Sequence, residues 1–187
     1  MNAKQLLTAF VLGGVYISLG DRSHIAFGVL SQVDTSFFGQ AWWVPPMFGA
    51  VSISLIQGLQ VIRRLLGEET PERSPVRLTV AAIAFLVVYS LTGPLGGGGV
   101  PLAAVLTLLW VVRLVIWRER RSTIILCLLI AALGPLGEWI VSALGFFSYA
   151  NPDLLGLPVW LPAVYLHGGL VVPLAEAELN HQFPNPE

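Results

Sequence analysis

The stretch Ala41-Trp42-Trp43-Val44-Pro45-Pro46 decides the fold class, because it marks the point where a helix enters a lipid bilayer. Tryptophan favours the membrane–water interface, where its ring is apolar and its indole N–H stays hydrated. Proline is tolerated in the first turn of a helix, where its missing N–H had no intrahelical partner. No charged residue follows until Arg63, so this helix is long enough to cross the hydrocarbon layer.

The composition of the chain identifies an integral membrane protein. Of its 187 residues, 55% are hydrophobic and 11% are charged, and the mean hydropathy is +0.76. A soluble domain carries about twice that charged share. The net charge of −1 and the lack of a basic run exclude a nucleic-acid partner. A single cysteine, Cys127, and three scattered histidines give no intrachain disulfide and predict neither a metal site nor a cofactor.

Uncharged runs separated by helix breakers predict an all-α fold, a single membrane domain over residues 1–187 with six transmembrane helices. The uncharged run Leu78–Val112 is too long for one helix, and the glycine-rich turn after Gly93-Pro94 divides it into a hairpin. The six helices are predicted at roughly 4–21, 41–63, 76–93, 101–117, 122–148 and 155–178. The segment 23–40 is predicted to be an interfacial loop or a short surface helix. No internal repeat is visible.

The basic residues predict the orientation of the chain, since cytoplasmic loops are enriched in lysine and arginine. Arg22 alone falls on the other side from the eight residues Lys4, Arg63, Arg64, Arg73, Arg77, Arg118, Arg120 and Arg121. Both termini are therefore predicted to be cytoplasmic.

Three ionisable residues, Arg113, Glu138 and His167, lie inside predicted spans. Such residues cost about 2.5–3.5 kcal/mol for Arg, Lys or Asp on an insertion scale, and they are functional candidates by default. At a rise of about 1.5 Å per residue, all three lie roughly 15–18 Å below the non-cytoplasmic ends of their helices. They could therefore occupy one layer of the bundle.

Each of the three also has a structural interpretation. Arg113 could extend towards the cytoplasmic end of its helix and place its charge in the headgroups. Glu138 follows Pro135, whose kink frees backbone carbonyls, so a protonated Glu138 could donate to one of them as readily as bind a ligand. His167 precedes Gly168-Gly169, where helices approach closely, which favours a hydrogen-bonded packing histidine.

The sequence leaves three functional hypotheses open. The first is a non-enzymatic lipid-binding or lipid-sensing protein with a lipid in a cavity of the bundle, and its candidate contacts are Glu138, Trp139, His167, Arg113 and Pro135. The second is an enzyme of lipid or isoprenoid metabolism with Glu138 and His167 as acid and base, although no catalytic motif is present. The third is a transporter, which twofold similarity within the chain would favour.

Two stretches resemble the Insig family of sterol-sensing membrane proteins. The first is the hexapeptide 41–46 followed by Gly49, and the second combines Pro152-Asp153-Leu154-Leu155, Trp160-Leu161-Pro162 and Gly168-Gly169. The chain is thereby identified as a bacterial, mycobacterial-type homologue, which implies a bacterial plasma-membrane location. The residues interpreted as structural anchors of this scaffold are Trp42, Trp43, Pro45, Pro46, Asp153, Trp160 and Pro162.

The resemblance implies a six-helix bundle with cytoplasmic termini, a lipid cavity and no catalytic activity. Homo-oligomerisation is also expected, mediated by small residues. The animal proteins have Phe-Asp-Arg-Ser-Arg-Ser after the fourth helix, with the aspartate linked to binding of the escort protein Scap. Arg118 stands in that place here, and Pro101 replaces a glutamine associated with sterol. Sterol and Scap are thus disfavoured, and a diacylglycerol-like membrane lipid is expected instead.

Overall fold

The computed structural model describes residues 1–184 as a bundle of helices joined at one end by a short two-stranded ribbon. The α-helices are α1 Ala3–Ala26, α2 Val44–Leu66, α3 Pro75–Leu91, α4 Gly99–Trp117, α5 Arg121–Ala143, α6 Leu161–Gly169 and α7 Val172–Gln182. A 3₁₀ turn, Gly96–Gly98, precedes α4, and the strands β1 Leu30–Gln32 and β2 Phe147–Tyr149 pair antiparallel. The fold is all-α apart from this ribbon.

The two ends of the bundle differ in character. The ribbon and the turn between α3 and α4 lie at one end, here called the ribbon end. The other end, here called the basic end, holds the start of α1 and the end of α7, because Gln5 in α1 donates to the Asn180 side chain at 3.0 Å and to the Phe183 carbonyl at 2.9 Å. Arg63 at the end of α2 forms a buried ion pair there with Glu176 of α7.

Within residues 1–184, four helical segments are long and apolar enough to cross a membrane: Ala3–Ala26, Val44–Leu66, Gly96–Trp117 and Arg121–Ala143. A shorter apolar helix is Pro75–Leu91. The prediction of one continuous sixth helix over 155–178 is wrong, because the segment divides into α6 and α7. Pro173 lies in the first turn of α7, where it cannot donate a hydrogen bond to the preceding turn.

The segment 23–40 is neither a loop throughout nor a surface helix. Helix α1 continues to Ala26, Gly28 takes a left-handed conformation with φ +69°, and β1 follows. Strands of three residues are too short to produce a readable alternation in sequence, so the prediction missed the ribbon.

The absence of an internal repeat was also predicted, and this prediction is wrong. Helix α1, β1 and α2 recur as α5, β2 and the pair α6–α7, with each residue of the second copy numbered 117 higher than its counterpart. Both copies have a left-handed glycine after the first helix, Gly28 and Gly145, with φ values of +69° and +83°. The helices α2 and α6 then begin after equivalent tryptophans, Trp43 and Trp160, whose φ values are −79° and −78°.

The hydrogen bonds of the ribbon relate the two copies by an approximate twofold axis. Ser31 pairs with Ser148, its own counterpart in the other copy. The amide of Val33 donates to the Phe146 carbonyl at 3.1 Å, and the amide of Ala150 donates to the Val29 carbonyl at 2.9 Å. Exchanging the copies turns each of these two bonds into the other. The repeat is difficult to detect in the sequence because few residues are identical in the two copies. The identical pairs include Gly20 and Gly137, Gly39 and Gly156, and Pro45 and Pro162.

The hairpin of α3 and α4 covers one side of this twofold arrangement. Its turn approaches β1, since a Cβ at Gly96 would lie 2.9 Å from a methyl carbon of Val29. The indole of Trp160, which is fully buried, donates to the Gly96 carbonyl at 3.0 Å. The opposite side of the twofold arrangement has no second hairpin among the described residues.

Candidate functional site

Glu138 lies on the last turns of α5 and holds two tyrosine hydroxyls. Tyr149 of β2 donates to its Oε2, and Tyr165 of α6 donates to its Oε1, each at 2.5 Å. The ring of Tyr165 reaches this position because Gly134 has no side chain, and a Cβ there would lie 2.4 Å from Cε1 of the tyrosine. The carboxylate therefore bonds to hydroxyls, rather than to a carbonyl freed by Pro135.

The counterpart of Glu138 in the first copy is Asp21 of α1, and it is bonded in a similar way. Tyr89 of α3 donates its hydroxyl to Asp21 Oδ1 at 2.8 Å, and Gln32 of β1 donates to Oδ2 at 3.3 Å. Gln32 is in turn the counterpart of Tyr149. The twofold arrangement thus places two carboxylates, each held by a donor from its own ribbon strand, in one polar centre at the ribbon end.

The glycines beside the two carboxylates have different surroundings. A Cβ at Gly20 would lie 2.0 Å from a ring carbon of Tyr89, so the tyrosine fills the space beside α1. Apart from its chain neighbours and the adjoining backbone of α5, no atom of the described chain lies within 4 Å of a Cβ placed at Gly137. The carboxylate of α5 therefore has an open space beside it where the carboxylate of α1 has a phenol ring.

This open space beside Gly137 is here called the vacant seat. Glu138 is the next residue, and Leu144 follows Gly137 by about two helical turns, so it lies near the same side of α5. The edge of Trp43 meets the ring of Phe146, with centroids 5.8 Å apart. Leu144 is 69% exposed and Phe146 is 47% exposed, although both are apolar. The counterpart of Phe146 differs, because Val29 is buried under the α3–α4 turn. The counterpart of Leu144, Phe27, is exposed as well.

Further apolar side chains continue along the outer face of α5 from the seat towards the middle of the bundle. They are exposed at every turn, and they comprise Leu129, Leu133, Leu136 and Ile140. Trp139, one of the predicted lipid contacts, is 41% exposed on this helix. The face is suited to hydrocarbon and provides no polar group between Gly137 and the basic end that would bind water.

Arg113 and His167 form a second polar pair, separate from Glu138. Nη1 of Arg113 lies 2.9 Å from Nδ1 of His167, and Nε2 of His167 lies 2.9 Å from the Leu106 carbonyl. Because a carbonyl only accepts, Nε2 carries the proton and Nδ1 accepts from the guanidinium. Both nitrogens of this buried histidine are therefore occupied, and Arg113 points into the bundle instead of extending to the headgroups.

The residues interpreted as anchors occupy the two turns that lead into α2 and α6. Pro45 and Pro162 lie in the first turns of those helices, and Asp153 accepts from the Val159 amide at 2.9 Å. Trp160 is fully buried, whereas Trp42 is 64% exposed.

The sequence-based list of site residues lacked Asp21, Tyr89, Tyr149 and Tyr165. Asp21 is the last residue of the first predicted helix, 4–21, and a charge at the end of a span needs no explanation. The sequence did contain a signal for Asp21. Two similar pairs, Gly20-Asp21 and Gly137-Glu138, are separated by the same 117 residues as the two copies of the repeat.

The apolar helices and their polar centre define a membrane protein with several helices that pass through the bilayer. No family model matches the chain. Among curated proteins, it is 30% identical to the insulin-induced gene 2 protein of Gallus gallus over 149 residues, which is 75% of this chain and 64% of that protein. It is 27% identical to the insulin-induced gene 1 protein of Homo sapiens over 143 residues, or 75% of this chain and 52% of that protein. The chain thus spans roughly half to two thirds of these relatives' length.

Among solved structures, the fold matches the crystal structure of a mycobacterial Insig homolog from Mycobacterium vanbaalenii. The TM-score is 0.84 at 21% identity, and the match covers 100% of this chain and 99% of the other. A cross-linked trimer of the same protein matches with a TM-score of 0.82 at 22% identity, over the same shares of both chains. The chain is an Insig homologue.

Proposed function

We propose that this protein binds a neutral, hydroxyl-bearing membrane lipid of the diacylglycerol kind at the vacant seat, and acts as a lipid sensor without catalytic activity. The observation that carries the proposal is the contrast between the two copies. A phenol occupies the space beside Gly20 and donates to Asp21, whereas the equivalent space beside Gly137 and Glu138 is open.

The residue that fills the space beside Gly20 indicates what kind of ligand would fit the space beside Gly137. Tyr89 combines an apolar ring with a hydroxyl donor, so the equivalent position beside Glu138 suits an apolar body with a hydroxyl at its end. Each oxygen of Glu138 accepts one tyrosine hydroxyl, and a carboxylate has about four acceptor positions in total. A lipid hydroxyl can therefore be added to the existing bonds.

The same centre disfavours an anionic headgroup. Two carboxylates, Asp21 and Glu138, would repel a phosphate in a medium of low dielectric constant. A diacylglycerol has no charge, and its acyl chains can lie along the exposed leucines of α5, since apolar contact between chain and helix is the ordinary state of a bilayer. This placement on the outer face of α5 differs from the sequence-based expectation, which was a cavity within the bundle.

The membrane arrangement is part of the proposal. Six crossings are expected, with α6 and α7 together forming the sixth, both termini cytoplasmic and the protein in a bacterial plasma membrane. The start of α1 and the end of α7 lie together at the basic end, which supports this orientation. Homo-oligomerisation is also proposed, and the trimer of the mycobacterial homolog supports it.

The internal repeat meets the criterion that would favour a transporter. Transport by a repeat-built protein requires one repeat to move against the other around a central site. Here the ribbon joins the copies at one end, and Gln5 joins α1 to the end of α7 at the other. Because the repeats are tied at both ends, a binding protein is the better interpretation. The enzyme alternative assigned His167 as acid or base, and both nitrogens of this histidine are bonded within the protein.

Filling the vacant seat tests the proposal. The variant Gly137→Leu is expected to weaken binding of diacylglycerol about tenfold, because its side chain takes the ligand's place. The matched control is Gly58→Leu in α2, since a Cβ there also has no atom within 4 Å. Binding is measured by native mass spectrometry of delipidated protein titrated with dioleoylglycerol. Equal binding by the two variants would contradict the proposed seat, and no binding by the wild type would contradict the lipid.

A further inference from the structure

We infer that Trp43 donates its indole N–H to an ester carbonyl of the lipid, as the second polar contact of the vacant seat beside that of Glu138. The inference rests on the proposed function. It narrows the ligand from any neutral lipid with a hydroxyl to one that also has a carbonyl close to that hydroxyl. A diacylglycerol meets this requirement, whereas a sterol or a long-chain alcohol has the hydroxyl alone.

The hairpin of α3 and α4 supplies one donor and one acceptor side by side at the ribbon end. Tyr89 donates its hydroxyl to Asp21 at 2.8 Å. The Gly96 carbonyl accepts from the indole of Trp160 at 3.0 Å. The two bonds are neighbours, because the ring of His24 contacts both Tyr89 and Trp160, with centroids 4.6 and 5.4 Å away.

Exchanging the two copies of the repeat places the partners of these bonds where the described chain has no hairpin. Asp21 of α1 corresponds to Glu138 of α5, and Trp160 before α6 corresponds to Trp43 before α2. A ligand in the equivalent place therefore meets one acceptor, the carboxylate, and one donor, the indole. The ligand that satisfies both supplies what the hairpin supplies on the other side, a hydroxyl and a carbonyl.

The contact between the hairpin and His24 has no equivalent in the second copy. Nε2 of His24 lies 2.7 Å from the Thr92 hydroxyl and 3.2 Å from the Tyr89 carbonyl. The counterpart of His24 is Val141, which has no polar side-chain atom. The comparison of the two copies thus requires no third polar group of the ligand, and a hydroxyl with one carbonyl is sufficient.

The indole N–H of Trp43 is available to a ligand. This residue is half-buried and forms no hydrogen bond with residues 1–184. Its nitrogen is not among the enclosed polar atoms of the described chain, so a ligand can reach it. An indole N–H only donates, and its partner is therefore an acceptor such as a carbonyl oxygen.

Trp43 also lies beside the place that corresponds to the Gly96 carbonyl. Its edge meets the ring of Phe146, with centroids 5.8 Å apart. Phe146 is the counterpart of Val29, the residue whose side chain lies against Gly96. The backbone of Trp43, with φ −79° and ψ −14°, matches that of Trp160, with φ −78° and ψ −13°.

A diacylglycerol presents the two groups close together. Its hydroxyl and its nearest ester are attached to adjacent carbons of the glycerol, so one headgroup can reach two neighbouring protein groups. Both bonds would lie where apolar side chains such as Leu144 and Phe146 reduce the competition from water, which strengthens a hydrogen bond. The carbonyl contact therefore distinguishes an acylglycerol from lipids that have a hydroxyl only.

Comparison of an ester lipid with its ether analogue tests the inference. The dioleyl diether of glycerol has methylene groups in place of the two carbonyls of dioleoylglycerol and keeps the hydroxyl. The delipidated full chain is titrated with each lipid and measured by native mass spectrometry. The preference for the ester over the diether is expected to be about fivefold larger in the wild type than in Trp43→Phe, which removes the N–H and keeps an aromatic ring.

The matched control is Trp42→Phe, a neighbouring tryptophan that is 64% exposed, and it is expected to keep the wild-type preference. A general loss of stability in Trp43→Phe weakens both lipids together and leaves their ratio unchanged. No preference for the ester in the wild type, or the same preference in the wild type and Trp43→Phe, overturns the inference while the proposed lipid site stands. An equal fall in Trp42→Phe overturns it too. If neither lipid binds the wild type, the proposed function fails as well.

Discussion

At the scale of single residues, two glycines in equivalent positions have opposite surroundings. Gly20 is required because Tyr89 lies against it, whereas Gly137 has open space beside it. Sequence reading assigned Gly137 to helix packing and gave Gly20 no role, since a glycine in an apolar helix gives no sign of what covers it. The difference arises from Tyr89 of α3, whose ring lies against Gly20 of α1, and such a contact is not encoded near either glycine.

The substitution Gly20→Ala is expected to destabilise the protein by about 1–3 kcal/mol, the usual cost of overpacking. Its Cβ would meet the Tyr89 ring at 2.0 Å. The matched substitution Gly137→Ala meets no atom and is expected to be neutral or slightly stabilising, since alanine favours helix by about 1 kcal/mol over glycine. Reversible unfolding in mixed micelles measures the free energy of unfolding of both variants. Equal losses of stability would show that the two positions do not differ as described.

At the scale of elements, uncharged runs predicted the helices well wherever a charge or a glycine cluster marks an end. Arg121 begins α5, and the glycines after Gly93 separate α3 from α4. The division of α6 from α7 was missed although Pro173 signals it, because the apolar run continues across the break. The ribbon was missed because its strands are short and their pairing joins residues far apart in the chain.

A cross-link between the strands tests their register. Ser31 and Ser148 are directly opposite each other, and opposite residues of an antiparallel pair have the Cα separation that a disulfide needs. The double variant Ser31→Cys and Ser148→Cys is expected to form a disulfide under mild oxidation, measured by loss of maleimide labelling. The control pairs Ser31→Cys with Ala150→Cys, a diagonal neighbour at about 7–8 Å. Faster oxidation of the control would place the strands in another register.

At the scale of the whole molecule, the sequence predicted an Insig-like membrane bundle but not its internal symmetry. The hexapeptide 41–46 was read as a membrane boundary and as a family signature. In the structure it is also one of two equivalent entries to a helix, the other being the turn before Pro162. Only Trp43 and Pro45 are identical in the second copy, so the similarity emerges from backbone conformation rather than from residue identity.

The orientation of the bundle can be tested by cysteine labelling. A cysteine at Glu72, in the loop of the basic end, is expected to react with a membrane-impermeant maleimide only after the cells are permeabilised. A cysteine at Asn151, at the ribbon end, is expected to react in intact spheroplasts. The native Cys127 is fully buried and provides the unlabelled background. If Glu72→Cys reacted in intact spheroplasts, the basic end would face outwards, opposite to the proposed orientation.

The bond between Gln5 and Asn180 also affects the order in which the protein can assemble. Gln5 is fully buried, and its partner lies 175 residues later in the chain. At a synthesis rate of about 5–20 residues per second, roughly 9–35 seconds separate the appearance of the two residues. During that interval Nε2 of Gln5 lacks its two partners near the end of α7, whereas its oxygen already accepts from the Asn2 amide. A translation product that stops before α7 is therefore expected to keep this donor unpaired.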